Sequence, residues 1–120
     1  MPLNKPAVNE FGLSDNAMEI IRGIYVQFPS IEKVIVYGSR AMGNFREGSD
    51  IDMTVIADGD FTESDLHKVY GLFDDSLLPY LVDISDFSKI RNPDLIDHIK
   101  RRGKVLYERK SICFLKPYVL

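Results

Sequence analysis

The chain has 120 residues, with 15 Lys and Arg against 18 Asp and Glu, for a net charge of -3. That length fits one domain, 1–120, around one core, and the charge gives no global attraction for nucleic acid or an anionic membrane. One cysteine, Cys113, excludes an internal disulfide, and no stretch approaches the roughly 20 apolar residues of a membrane span, so a soluble cytoplasmic protein is expected.

Residues 1–12 carry two prolines, a glycine and few apolar side chains, without the long apolar core of a signal peptide, and are expected to be loosely held. From Ser14, a natural N-cap, Ala17, Ile20, Ile21, Ile24 and Phe28 recur at helical spacing until Pro29. The β-branched run Lys33 to Tyr37, closed by Gly38, reads as a buried strand. Ser39 can open a short helix through Gly43, and "NFREGS" is turn chemistry. "DIDMTVI" then alternates, with Ile51, Met53 and Val55 on one face and Asp50, Asp52 and Thr54 on the other. Thr62 can cap a helix whose stripe is Leu66, Val69, Tyr70 and Phe73. A third strand is expected over Tyr80 to Ile84. Asn92 followed by Pro93 opens a last helix, with Lys100, Arg101 and Arg102 in its final turn and Gly103 ending it. A short strand over 105–107 follows, and residues 111–120 are expected to form a loosely ordered tail. Alternating strands and helices predict an α/β layer structure. No long helix joins the first two strands, so a small mixed or antiparallel sheet with helices on one face is expected.

The region from Val36 to Ile56 packs three glycines, two arginines and two aspartates between apolar runs. A phosphate loop of the ATPase type fails here, because Asn44 and Phe45 follow Gly43 where Lys and Ser or Thr are needed. The dinucleotide fingerprint fails at Ser39 and Arg40, and a calcium loop fails for want of a third ligand and glycine after Asp50 and Asp52. What remains is Gly38-Ser39, ten residues, then Asp50-x-Asp52. Glycine lets a backbone approach a ligand closely, and a serine at a helix start can meet an anion. Residues i and i+2 of a strand point the same way, so the two carboxylates raise each other's pKa unless a cation lies between them. Asp83, on the third strand, can join them if that strand pairs beside the second; Asp86 is the competing position, with poorer strand phase. Oxygen ligands with open positions suit Mg²⁺ with substrate phosphates. A lone Asp-x-Asp is most often a solvated strand edge. The glycine-serine at this spacing is what turns the reading toward chemistry. His67 and His98 fall on polar helix faces without ligand partners and are expected to be solvated.

"GSRAMGNFREGSDIDMTVI" resembles the signature of the DNA polymerase β-like nucleotidyltransferase superfamily, a glycine-serine, ten residues and Asp-x-Asp. The resemblance covers Ser14 to about Arg109 and is nearest to the minimal nucleotidyltransferases. It implies a polymerase β-like core in which Asp50, Asp52 and Asp83 hold Mg²⁺ and carry catalysis. Gly38 and Ser39 would hold the triphosphate of ATP, and Arg40 is placed with them at the nucleotide. It also implies transfer of AMP to an acceptor hydroxyl with loss of pyrophosphate. Minimal members work with a separate helical HEPN-type protein, as antitoxins able to adenylylate a HEPN toxin. That makes a HEPN-type chain the expected partner and leaves nucleic acid an unexpected one. The rival expectations are a catalytically silent module that neutralises a partner by contact, and a transferase acting on a small molecule.

Overall fold

Ser14 accepts the Ala17 N–H on its hydroxyl and starts the first helix, α1 (Asp15–Tyr25), whose buried stripe is Ala17, Met18, Ile21, Ile24 and Tyr25. Strand β1 (Ile31–Tyr37), a four-residue helix α2 (Ser39–Met42) and strand β2 (Ile51–Ala57) follow. Helix α3 (Glu63–Asp74) opens with a capping box in which Thr62 and Asp65 each accept the other's backbone N–H. Strand β3 (Val82–Asp86), one 3₁₀ turn (Phe87–Lys89), helix α4 (Pro93–Arg102) and strand β4 (Lys104–Glu108) complete the order in this computed structural model, which describes residues 9–109.

The four strands form one mixed sheet in the order β3-β2-β1-β4. β1 runs antiparallel to both β2 and β4, and β2 runs parallel to β3 through the α3 crossover. The register sorts the side chains. Val34, Val36, Met53, Val55 and Ile84 share the core cluster with the α1 stripe and with Val69 and Phe73 of α3. Tyr37, Asp52 and Asp83 occupy adjacent register positions, as do Ile35, Thr54 and Ser85 behind them. Helix α4 meets β1 on this second face: Ile99 is buried, His98 stacks edge-on against Tyr37 at 6.2 Å between centroids, and a Cβ on Gly103 would strike Ile35 and the Ile99 carbonyl. The α/β mixed sheet is as expected, but the helices do not all lie on one face: α4 packs on Ile35 and Tyr37, opposite α1 and α3.

Three local expectations need correcting. Residues 9–12 are not loosely held: the Asn9 carboxamide accepts the Phe11 and Leu13 N–H groups, and Phe11 and Leu13 lie in the core. The third strand starts at Val82 rather than Tyr80, and Leu81, expected within it, is 75% exposed. β4 extends by one residue at each end of the expected 105–107. The tail at 111–120 and Cys113 lie outside the described residues.

Candidate active site

The site is built at the end of β1, where the chain must turn sharply. Gly38 has φ +75° and ψ −151°, a conformation open to glycine and strained for other residues. The reason for the glycine is visible on its far side: a Cβ there would stand 2.7 Å from an Asp52 carboxylate oxygen. The backbone turn is therefore pressed against the aspartate. Ser39 then opens α2, which Gly43 closes in the left-handed conformation.

Asp50 is exposed and directly precedes β2; Asp52, half-buried, sits within it. The parallel register sets Asp52 directly beside Asp83, which is exposed on β3. Partial burial raises the Asp52 carboxyl above its ordinary value, and the charges of Asp83 and then Asp50 raise it further. Asp52 thus feels the carboxylates on both sides of it. Among the described residues, no three carboxylates, imidazoles or thiols already stand as a metal cage. Uncompensated like charges have no reason to close on one point. The donor set nevertheless fits a divalent cation: oxygen ligands on neighbouring strands, with a raised carboxyl that a positive charge would relieve. Asp86, the competing position, instead caps the 3₁₀ turn, accepting the Ser88 N–H and hydroxyl.

Tyr37 joins the site from β1 as the register partner of Asp52. Burial pushes its phenol up; the Ser85 hydroxyl opposes this, and the Asp83 and Asp52 carboxylates add to it. Behind it the Ser85 hydroxyl donates to Thr54 Oγ1 at 2.9 Å, giving the fully buried Thr54 a partner.

Arg40 is not available to a nucleotide. It is 2% exposed, its Nη1 donates to the Phe11 carbonyl, and Nε and Nη2 both donate to the Ser49 carbonyl. Its guanidinium lies over the rings of Phe45 and Tyr80, 5.0 and 4.7 Å from their centroids. It ties the N-terminal segment to the loop that delivers Asp50. Gly12 belongs to the same knot, since a Cβ there would strike the Phe45 ring.

His98 was missed. Its Nε2 accepts the Gly38 N–H at 3.3 Å, across 60 residues of sequence. Helical periodicity put it on a polar face, and nothing in the sequence says that this face of α4 meets the glycine-serine turn.

The sequence matches the family described as Polymerase beta, Nucleotidyltransferase, over residues 19–112. The chain belongs to the polymerase β nucleotidyltransferase family. Its glycine-serine and Asp-x-Asp resemblance is thereby borne out at the level of family and fold. Among curated proteins none matches the sequence. Among solved structures, this nucleotidyltransferase resembles a toxin–antitoxin complex crystallised with AMP-PNP, at 21% identity and TM-score 0.62, covering 78% of this chain and 74% of that chain. It also resembles a minimal nucleotidyltransferase, at 27% identity and TM-score 0.58, covering 74% and 88%. A third likeness is to a complex of a tri-AMPylated Shewanella oneidensis HEPN toxin with an MNT antitoxin, at 17% identity and TM-score 0.51, covering 82% and 78%. Among the described residues of the nucleotidyltransferase, no helix is long and apolar enough to cross a membrane.

Proposed function

We propose that this nucleotidyltransferase transfers AMP from ATP to a hydroxyl on a HEPN-type partner protein, as the antitoxin of a toxin–antitoxin pair. The observation that carries the reading is the junction of β1, β2 and β3. There a glycine turn with no Cβ abuts Asp52, and Asp52 lies in register with Asp83. Gly38, by lacking a Cβ, and Ser39, by its N–H and hydroxyl, would take the triphosphate. Asp50, Asp52 and Asp83 would hold Mg²⁺, which, when bound, neutralises the carboxylates and the phosphates they face. Asp83, exposed on β3, would orient the incoming hydroxyl and receive its proton. The new bond forms between that oxygen and the α-phosphorus, the α–β phosphoanhydride bond breaks, and pyrophosphate leaves.

The partner is argued from two sides. A complex containing a chain of this fold pairs a tri-AMPylated HEPN toxin with an MNT antitoxin. The net charge of -3 gives little hold on a nucleic acid acceptor. The test incubates the chain with labelled ATP, Mg²⁺ and its genomic neighbour. Label on the neighbour is expected, and none with Asp50→Asn plus Asp52→Asn. If neither protein labels the neighbour yet both bind and silence it equally, the chain is a silent module. Label on an RNA 3′ end or a small molecule keeps the reaction and replaces the acceptor.

A further inference from the structure

We infer that His98 is a positioning residue of the nucleotide site, holding the glycine-serine turn in its binding shape from the opposite helix. The inference rests on reading Gly38 and Ser39 as the triphosphate site. Three observations meet at one backbone unit. Gly38 adopts a backbone conformation that costs free energy unless its surroundings enforce it. One side of the turn is closed by the Asp52 carboxylate, which a Cβ would strike at 2.7 Å. The Gly38 N–H is held by His98 Nε2 at 3.3 Å. A carboxylate pressed on one side cannot by itself fix the turn. A hydrogen bond on the amide can, because it selects one orientation of the peptide plane.

The imidazole is itself fixed. His98 projects from α4, whose start is set by Asn92 accepting the Asp94 and Leu95 N–H groups and whose side is anchored by buried Ile99. Its ring stacks edge-on against Tyr37, the residue preceding Gly38. The turn is therefore held between two neighbours: Tyr37 locates the ring, and the ring locates the amide. An acceptor at Nε2 places the ring proton on Nδ1. The sequence signature ends at Asp52, and this contact comes from α4. Helix α4 thus belongs to the nucleotide site although it contributes no carboxylate.

The test compares His98→Leu, which fills the space without an acceptor, with His98→Gln, whose side-chain oxygen can take the place of Nε2. Affinity for AMP-PNP with Mg²⁺ is measured by calorimetry on the full chain, beside thermal melting and the proton exchange of the Gly38 amide. Loss of one hydrogen bond to the turn is expected to weaken binding about tenfold in His98→Leu. The Gly38 amide should exchange faster, with melting within a few degrees of wild type. His98→Gln should recover most of both. Unchanged binding by His98→Leu overturns the inference and leaves the site reading standing, provided Asp52→Asn still abolishes transfer. Equal weakening in both variants, in step with lowered melting temperature, makes His98 a packing residue and also overturns it. A wild-type chain that binds no nucleotide overturns the inference together with the reading beneath it.

Discussion

Gly38 shows how far one residue constrains the site. Its φ of +75° strains any residue with a Cβ, and a methyl group there would have to displace the Asp52 carboxylate. Gly38→Ala is expected to lower stability by about 1–3 kcal/mol and to remove nucleotide binding. Urea unfolding and calorimetry with AMP-PNP and Mg²⁺ measure the two effects; an alanine variant that binds normally contradicts the close-approach argument. Asp52 gives the opposite sign. Its carboxyl is raised above the ordinary 3.8 by burial and by Asp83 and Asp50. The folded chain therefore holds that proton more tightly than the unfolded chain. The contribution to stability is present below the ordinary carboxylate range and is lost as pH rises through the raised folded value. Asp52→Asn should melt at or above wild type at neutral pH, and the difference should close on acidification, while transfer is abolished. A variant clearly less stable at pH 7 would count against carboxylate repulsion. The outward position of Asp52 was legible because strand periodicity sets it between the buried Ile51 and Met53, whereas Asp50 stands one residue before the strand. Arg40 was not, because its burial depends on the Phe11 and Ser49 carbonyls, which the fold brings together.

The elements were legible where they announce their own ends. Ser14, Thr62 and Asn92 each accept backbone N–H groups as their positions suggest, because capping is local chemistry. The start of β3 was not legible. Tyr80 and Leu81 have strand-like side chains, yet the ladder with β2 begins at Val82. What holds this edge strand comes from α3: the Tyr70 hydroxyl accepts the Ile84 N–H at 2.6 Å and donates to the Ile84 carbonyl at 2.9 Å. Helical spacing marks Tyr70 as an inward-facing residue and says nothing of this. The two bonds satisfy the Ile84 backbone one residue beyond Asp83. Tyr70→Phe is expected to cost about 1–2 kcal/mol, read from the urea midpoint. Amide exchange should quicken at Ile84 and not at Ala41. Equal exchange at both positions would mean that Tyr70 does not secure β3.

At the scale of the molecule, the sheet order β3-β2-β1-β4 puts the two strands richest in core residues at the centre, and the site lies where β2 is flanked by the end of β1 and by β3. The α3 crossover makes β2 and β3 parallel, and that register sets Asp83 beside Asp52. Alternation of elements predicted the layers. The second-face position of α4 needed the packing of Ile99 and Gly103 on β1, a contact between distant segments. Because the proposed ligands come from β1, α2, β2 and β3, a nucleotide bound there would join elements that unfolding separates. Binding to the folded state alone stabilises it by about 2.7 kcal/mol at a hundredfold excess over Kd, worth a rise of about 10 °C in Tm for a domain of this size. The rise is expected with AMP-PNP and Mg²⁺ together. It should be much smaller with AMP-PNP and a chelator, since the triphosphate then meets unscreened Asp50, Asp52 and Asp83. Asp52→Asn should lose the rise without a lower starting Tm, which separates a damaged site from a damaged fold. An equal rise with and without the metal would remove the cation from the site and leave the glycine-serine turn as the sole anchor of the phosphates.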